Sequence, residues 1–378
     1  MWVGRWKTHA VRGRAAMTTI SWTTRMSSTS TASVESMEAF VSHVTRGNNL
    51  AAAWSEHHDR HDNRGSAPWI HPTAIVHPSA AIGHNAHIGP YSIIGPDVEL
   101  EDGVFLQAHV IVEGKTRIGR DTVIHPFACI GGEPQDKKHA RQGSNSSSST
   151  SSLVIGDNCI IREHVTIHGS TSYTLDTPTT VGNDCWILCG AHIGHDCSVG
   201  NRVVLSNNVC VAGHVEIGDF AIIGGQVGLK QHIKIGTLAM IGGKSAVDGD
   251  VLPYGLAIGN RAKIAGLNLI GLRRAKVSRQ DIKLMLRMYR YMFGVPSCNK
   301  TAFAPALDLA AKESIVLRAE EVKTYLLDQQ VDSATHPMVH EMVDFVLDSP
   351  NRFRSSMCAA VIPSASASSK SWSTASQQ

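Results

Sequence analysis

The sequence lacks three features that would each point to a particular class of protein. It has little excess charge, since 35 Lys and Arg against 32 Asp and Glu give a formal net charge of +3. Nothing in this balance indicates nucleic acid or an anionic membrane as a partner. The eight cysteines form no CxxC pair, which favours small buried side chains in a reducing compartment. No apolar run approaches the ~20 residues of a spanning helix, so we expect no transmembrane segment.

Acidic residues are absent from the start of the chain. The first is Glu35, and five Arg or Lys precede it among many Ser and Thr. This composition is typical of an organellar transit peptide, and it lacks the apolar stretch of a secretory signal. Residues 1–66 are therefore predicted to be a transit peptide or disordered leader, with the mitochondrion as destination and the plastid or cytoplasm as alternatives. The Ser-rich residues 351–378 are predicted to be a disordered tail.

Between these ends, an aliphatic residue recurs every six positions. The register runs from Ile70 to Ile130, from Ile155 to Ile167 and from Val181 to Val247, which makes 26 hexads. Neither a helix (period 3.6) nor an amphipathic strand (period 2) produces this spacing, whereas a parallel β-helix does. Each hexad should form one flat side of a triangular prism, with the aliphatic residue inside and a following glycine helping to turn the corner. The two gaps are predicted to be loops, at 131–152 and 169–180.

The period is lost after Pro253. Amphipathic stretches follow at 279–293, 310–330 and 336–348, and Ser278 is expected to cap the first helix. The predicted domains are a hexapeptide-repeat β-helix over 67–255 and a C-terminal helical domain over 256–350.

Three sides of six residues make a coil of about 18, so residues 18 apart should stack in successive coils. His195 then stacks with Gly213 and Gln231, and Asp196 stacks with His214 and with a further histidine, as read from the sequence. A histidine can take a proton near neutral pH. A glycine one coil away can present its backbone N–H to a developing oxyanion. A base beside an oxyanion donor is the minimum for acyl transfer to a hydroxyl, with Asp196 orienting His195.

Several motifs resemble one enzyme family, the UDP-N-acetylglucosamine O-acyltransferases that begin lipid A synthesis. They are "GGEPQDKK", "REHVTIH", "AHIGHDCSVGN", "NNVCVAGHV", "DFAIIGG" and "GNRAKIAGLNLIGLRR", in that order. The resemblance implies left-handed coils and a homotrimer with active sites in clefts between subunits. It also implies transfer of an (R)-3-hydroxyacyl group from acyl carrier protein to the 3-hydroxyl of UDP-N-acetylglucosamine. The donor is held on the carrier's phosphopantetheine, and no cofactor or metal is expected.

The resemblance also implies roles for individual residues. His195 is the general base and Gly213 the oxyanion donor, with Asp196 as the third catalytic residue. Gly243 matches the position where a side chain would block the acyl channel, and a long acyl group is therefore expected. The other substrate-binding residues that it implies are Gln135, Asp136, Lys138, His168, His192, His214, Gln231, Asn268 and Arg274.

One position departs from the family pattern. Lys230 stands where the bacterial pattern has a histidine before the glutamine, and this difference affects the acyl or pantetheine contacts and not the base.

Two alternative functions are compatible with the hexapeptide repeat. A γ-type carbonic anhydrase is also a hexapeptide-repeat trimer, but it needs three histidines on one zinc. A non-catalytic trimer that kept only the fold is the remaining alternative.

Overall fold

The computed structural model describes residues 66–137, 151–172, 177–294, 314–349 and 357–359. The predicted leader (except Ser66) and all but three residues of the predicted tail lie outside these ranges. The described chain is a left-handed parallel β-helix followed by a helical region. The repeat predicts the parallel β-helix, the family resemblance its left-handed coils, and the amphipathic stretches the helices. Every one of the 26 hexads contributes one short strand, and the strands form three flat faces that we name A, B and C.

Within each coil the chain passes from face A to face B to face C. Face A contains β1 (Trp69–Ile70), β4 (His87–Ile88), β7 (Phe105–Leu106), β10 (Val123–Ile124), β13 (Ile160–Ile161), β16 (Trp186–Ile187), β19 (Val204–Leu205), β22 (Ile222–Ile223) and β25 (Met240–Ile241). Face B contains β2 (Ile75–Val76), β5 (Ile93–Ile94), β8 (Ile111–Val112), β11 (Cys129–Gly132), β14 (Thr166–His168), β17 (His192–Ile193), β20 (Cys210–Val211), β23 (Gly228–Leu229) and β26 (Ala246–Val247). Face C contains β3 (Ala81–Ile82), β6 (Glu99–Leu100), β9 (Lys115–Ile118), β12 (Ser152–Ile155), β15 (Thr179–Val181), β18 (Ser198–Val199), β21 (Glu216–Ile217) and β24 (Lys234–Ile235).

The core is the column of aliphatic side chains inside the prism. The second residue of a typical strand, such as Ile193 in β17 or Leu205 in β19, is fully buried. Adjacent coils pair in parallel and in register, as His192 with Cys210 and Ile193 with Val211. Because the pairing is 18 residues apart wherever no loop intervenes, a residue's place in its hexad fixes whether it points into the core or outward.

The corners depend on backbone geometry that the hexad only partly predicts. The turn residue in the left-handed region is not the glycine that follows the aliphatic residue. It is two positions later, at Asp196 (φ 58°) and at its stacked successor His214 (φ 60°). Asp, Asn and His tolerate this region better than most residues. Gly194 is needed for a different reason: a Cβ there would lie 2.9 Å from the backbone nitrogen of Gly213 in the next coil.

Strand structure continues past residue 255, where the predicted β-helix ends. β27 (Gly255–Ile258) extends face A in parallel and then pairs antiparallel with β28 (Lys263–Leu267). Four helices follow among the described residues: α1 (Leu269–Arg274), α2 (Arg279–Met292), α3 (Ile315–Asp328) and α4 (Pro337–Asp348). Ser278 caps α2 as predicted, because its side chain accepts a hydrogen bond from the Asp281 N–H. In the part of the chain that the structure describes, no helix is long and apolar enough to cross a membrane.

The helical region is fastened to the last coils through a buried carboxylate. Asp250 is fully buried, and its Oδ1 accepts the Lys234 backbone N–H at 2.8 Å. The Ser349 hydroxyl, just after α4, donates to Oδ2 at 3.0 Å. The backbone carbonyl of Asp250 accepts the Cys358 N–H at 2.8 Å. These bonds satisfy a buried polar group and close the open end that a solenoid would otherwise present.

Candidate active site

The candidate site lies at the corner between faces B and C. There the turn of each coil places His195, Gly213 and Gln231 in one column, as the period of 18 predicts. The His214 N–H donates to the His195 carbonyl at 3.0 Å, and the His232 N–H donates to the Gly213 carbonyl at 3.3 Å, which fixes the register of the three coils.

Only glycine fits above the His195 ring. A Cβ at residue 213 would lie 2.5 Å from Cε1 of His195 and 2.7 Å from Nε2, closer than carbon atoms approach one another without displacement. Within the described residues, the Gly213 N–H forms no backbone or side-chain hydrogen bond. The glycine therefore leaves room beside Nε2 and offers a backbone donor next to it.

His195 and Asp196 form a hydrogen-bonded pair. The His195 side chain is 10 % exposed, and its Nδ1 lies 2.7 Å from Oδ2 of Asp196. Burial by itself raises the pKa of Asp196, but hydrogen bonds from His195 and from the backbone and hydroxyl of Thr171, with the charge of His214, outweigh it and lower this pKa. An ionised Asp196 accepts a proton-bearing Nδ1, so Nε2 carries the lone pair.

Two further histidines extend the site along face B. The rings of His168 and His192 meet edge to face with centroids 4.7 Å apart, and Nδ1 of His192 lies 2.7 Å from the Thr166 hydroxyl. Burial, followed by the charges of His192 and His195, lowers the pKa of His168 to about 4. Burial and the charge of His195 lower the pKa of His192. Both rings are therefore neutral hydrogen-bonding groups near pH 7.

An open groove of about 590 Å³ begins at these histidines and runs along face B. Its floor consists of the outward residues of three successive strands, Cys210, Gly228 and Ala246, and a Cβ at Gly228 would meet no atom within 4 Å. Gln135, Lys230 and Gln231 also line the groove, and Asp248 and Arg261 close its far end. The side chains along the floor are small and apolar, and those at both ends of the groove are polar. This arrangement suits an acyl chain with a polar head group.

His214 lies beside the pair rather than in the groove. Its Nε2 is 3.6 Å from Oδ2 of Asp196, and its ring meets the His195 ring edge to face at 5.0 Å. His195, Asp196 and His214 are the group among the described residues whose ligand atoms lie close enough for a metal, within 4.8 Å of one another. The third donor is a carboxylate, whereas a γ-type carbonic anhydrase would need a third histidine there.

Some residues implied by the family resemblance do not converge on this groove within one protomer. Gly243 lies at the corner between faces A and B, where a Cβ would be 3.3 Å from the Gly225 carbonyl oxygen. Asn268 caps α1 by accepting the Gly271 N–H at 2.9 Å, and its Nδ2 donates to the Leu238 carbonyl at the corner between faces C and A. Arg274 is exposed at the end of α1.

The loop after β11 is described only in part. Gln135 lines the groove, and Asp136, the next residue, is half-buried but is not among the described residues that line it. Lys138 lies outside the described residues. The roles implied for Asp136 and Lys138 therefore stay predictions.

Sequence reasoning missed two parts of the site. The groove floor could have been found, because adding 18 to His192 gives Cys210, and two further steps give Gly228 and Ala246. Thr171, which holds Asp196, could not have been found in this way, because its loop interrupts the register.

The comparisons with known proteins agree with this architecture. A family model described as UDP N-acetylglucosamine O-acyltransferase, domain 2, matches residues 250–355. A bacterial transferase hexapeptide model (six repeats) matches residues 178–213, and a model of the GMPPB C-terminal domain matches residues 70–173. The hexad solenoid and the histidine–aspartate pair beside a groove define the class as hexapeptide-repeat acyltransferases.

Individual relatives narrow the class. An acyl-[acyl-carrier-protein]--UDP-N-acetylglucosamine O-acyltransferase of Caulobacter vibrioides is 54% identical over 224 residues, which cover 59% of this chain and 82% of the relative. The protein of the same name from Sinorhizobium fredii is 40% identical over 294 residues, which cover 76% of this chain and 97% of the relative. The solved structure of LpxA from Acinetobacter baumannii has a TM-score of 0.62 at 34% identity, covering 76% of this chain and 99% of that chain. The chain belongs to the acyl-[acyl-carrier-protein]--UDP-N-acetylglucosamine O-acyltransferase family.

Proposed function

We propose that the protein transfers an (R)-3-hydroxyacyl group from acyl carrier protein to the 3-hydroxyl of UDP-N-acetylglucosamine, the first step of lipid A biosynthesis. The observation that carries this proposal is the pairing of His195 and Asp196 at 2.7 Å beneath a glycine that admits no side chain. Family membership supplies the names of the two substrates. The alternative, a γ-type carbonic anhydrase, would need a third histidine where this site has Asp196. None of the relatives named above is a carbonic anhydrase.

The chemistry follows from the geometry. Nε2 of His195 takes the proton of the sugar hydroxyl as its oxygen attacks the thioester carbonyl. The charge that develops on the carbonyl oxygen is stabilised by the Gly213 N–H, while Asp196 stabilises the imidazolium through Nδ1. Collapse of the tetrahedral intermediate breaks the C–S bond, and the imidazolium returns its proton to the phosphopantetheine sulfur. The products are the sugar ester and the free carrier thiol.

The groove on face B would hold the acyl chain, with Lys230 and Gln231 near its polar end. His168 and His192, both neutral near pH 7, are placed to bind uncharged polar groups of the sugar or the 3-hydroxyacyl head. Gln135, Asp136 and Lys138 are proposed to hold the nucleotide sugar, and His214 to contact substrate beside Asp196. Arg274 suits a diphosphate, because a guanidinium group matches phosphate oxygens.

A homotrimer is proposed because the implied site residues do not meet within one protomer. Gly243 stands at the corner between faces A and B, Asn268 contacts the corner between faces C and A, and Arg274 stands at the end of α1, so none of them lies at the corner that carries His195. A neighbouring subunit packed against face B would bring such residues to the groove, whereas one protomer alone leaves the groove open on one side. The proposed active site is therefore shared between subunits.

The test of the activity is release of carrier thiol that depends on both substrates. Purified protein is mixed with 3-hydroxyacyl carrier protein, with and without UDP-N-acetylglucosamine, and free thiol is measured with a chromogenic disulfide. We expect thiol release only when the sugar nucleotide is present. Release at the same rate without it would indicate a thioesterase, and carbon dioxide hydration dependent on added zinc would favour the anhydrase.

The leader is proposed to direct the protein to the mitochondrion, on the basis of the five basic residues that precede the first acidic one. Residues 1–66 fused to a fluorescent protein should carry it to that organelle, and residues 67–378 should retain full turnover. Accumulation of the fluorescent fusion in the plastid would show that the leader directs the protein there instead. One that stays in the cytosol would indicate a plain disordered extension.

A further inference from the structure

Thr171 contacts both oxygens of the catalytic carboxylate. Its backbone N–H donates to Oδ1 of Asp196 at 2.9 Å, and its hydroxyl donates to Oδ2 at 2.9 Å. Thr171 stands in the loop between β14 and β15, 25 residues before the aspartate in sequence. The contact therefore joins a loop to the catalytic corner, and no periodic stacking requires it.

A second threonine holds the backbone of the same residue. The Asp196 N–H donates to the hydroxyl of Thr179 at 2.9 Å, and Thr179 is fully buried at the start of β15. Asp196 itself occupies the left-handed region with φ 58°. Its main chain is thus fixed by Thr179, while the rotation of its carboxylate is fixed by Thr171.

The orientation of this carboxylate decides where the His195 proton resides. Oδ2 accepts from Nδ1 of His195 at 2.7 Å and lies 3.6 Å from Nε2 of His214. A carboxylate free to rotate would turn toward the more exposed His214 or toward water. Two donors from one residue hold it in the orientation that serves Nδ1, which leaves Nε2 of His195 as the proton acceptor in the groove.

We infer that Thr171 is a positioning residue of the acyltransferase reaction: its hydroxyl and N–H hold Asp196 so that Asp196 keeps His195 in the productive tautomer and orientation. This role rests on the proposed function. It gives the loop after β14 a part in catalysis that does not require contact with either substrate.

The test compares Thr171→Val, which removes the hydroxyl and keeps the shape and N–H, with Thr171→Ser, which keeps the hydroxyl. Thr180→Val is the matched control, because the Thr180 hydroxyl bonds Ser198 on the surface of face C and has no contact with Asp196. We expect kcat of Thr171→Val to fall about 10-fold or more with KM little changed, since a hydrogen bond to a charged group is lost. Thr171→Ser and Thr180→Val should stay within about twofold of wild type.

A double mutant distinguishes the positioning role of Thr171 from a purely structural role of its loop. In an Asp196→Asn background, Thr171→Val should have little further effect on kcat, because the carboxylate that it positions is already absent. An equal fold loss in both backgrounds, or a rise in KM without a change in kcat, would overturn the inference. So would a kcat of Thr171→Val within twofold of wild type.

The two proposals can fail separately. If the wild-type protein releases no carrier thiol, the proposed reaction is wrong, and a crystal structure of Thr171→Val then judges the positioning role. Rotation of the Asp196 carboxylate away from Nδ1 of His195 would support that role. An unchanged distance of about 2.7 Å would refute it.

Discussion

At the scale of single residues, the catalytic pair depends on two features with separate origins. The first is the column of His195 and Gly213, which the period of 18 predicts because a hexad has a fixed position on the prism. The second is the support of Asp196 by Thr171, which lies in a loop where the period gives no information. The first feature was accessible from the sequence, and the second required the fold.

Removing the base gives the most specific residue-scale prediction. His195→Ala should lower kcat by on the order of 10²-fold or more, the usual contribution of a general base. The midpoint of thermal unfolding should fall only modestly, because the ring, although buried at the corner, lies outside the aliphatic core. His84→Ala, at an exposed turn remote from the groove, is the matched control and should retain wild-type turnover. A folded His195→Ala protein with near-normal kcat would disprove the assignment.

The buried His168 predicts a pH dependence of stability. Its pKa is about 4 in the folded protein against 6.5 for an ordinary histidine, so the unfolded chain binds this proton first as the pH falls. Stability is therefore lost as the pH drops from 6.5 toward 4, by about 2 kcal/mol between pH 7 and pH 5 at 1.36 kcal/mol per pK unit. His168→Gln should show a correspondingly smaller loss in chemical unfolding over that interval. An identical pH dependence in both proteins would contradict the placement of this ring.

At the scale of elements, the sequence predicted the solenoid almost completely. Each hexad needs an aliphatic residue inside, so all 26 strands could be located from that residue alone. The same count places Gly243 at another corner, because the 48 residues from His195 are two coils and two further hexads, and the structure has it at the corner between faces A and B. The repeat did not predict the antiparallel pair β27 and β28, because this pair breaks the hexad period.

The position of Gly243 makes the acyl path testable. Gly243→Met would place a flexible apolar side chain where the family resemblance puts the end of the acyl channel, and Gly228→Met would place one on the groove floor two coils from His192. If Gly243 limits chain length from a neighbouring subunit, Gly243→Met should lower kcat/KM for long 3-hydroxyacyl donors steeply and spare short ones.

Gly228→Met distinguishes the two routes. A ratio of long-chain to short-chain kcat/KM that changes in Gly228→Met and not in Gly243→Met would show that the chain length is set over face B of the same protomer. A ratio unchanged in both variants would show that the acyl chain lies elsewhere, and the proposed use of the groove would then be wrong.

At the scale of the whole molecule, the proposed trimer accounts for a site whose parts lie at different corners. Multi-angle light scattering should give three times the 40.7 kDa chain mass, less any leader removed. Mixing inactive His195→Ala chains with Gly243→Trp chains should restore partial turnover of a long-chain donor, since every mixed trimer has one interface that pairs an intact His195 with an intact Gly243. A stable and fully active monomer would contradict a shared site.

The central claim concerns the bond that is made, and product analysis tests it most directly. The chain is incubated with (R)-3-hydroxyacyl carrier protein and UDP-N-acetylglucosamine, and the product is identified by mass spectrometry and two-dimensional NMR. The account predicts the mass of a mono-3-hydroxyacyl sugar nucleotide and a downfield shift of the proton on carbon 3 of the glucosamine ring, absent with His195→Ala. An ester at another hydroxyl, an amide at a sugar nitrogen, or no acylated sugar nucleotide at all would contradict it.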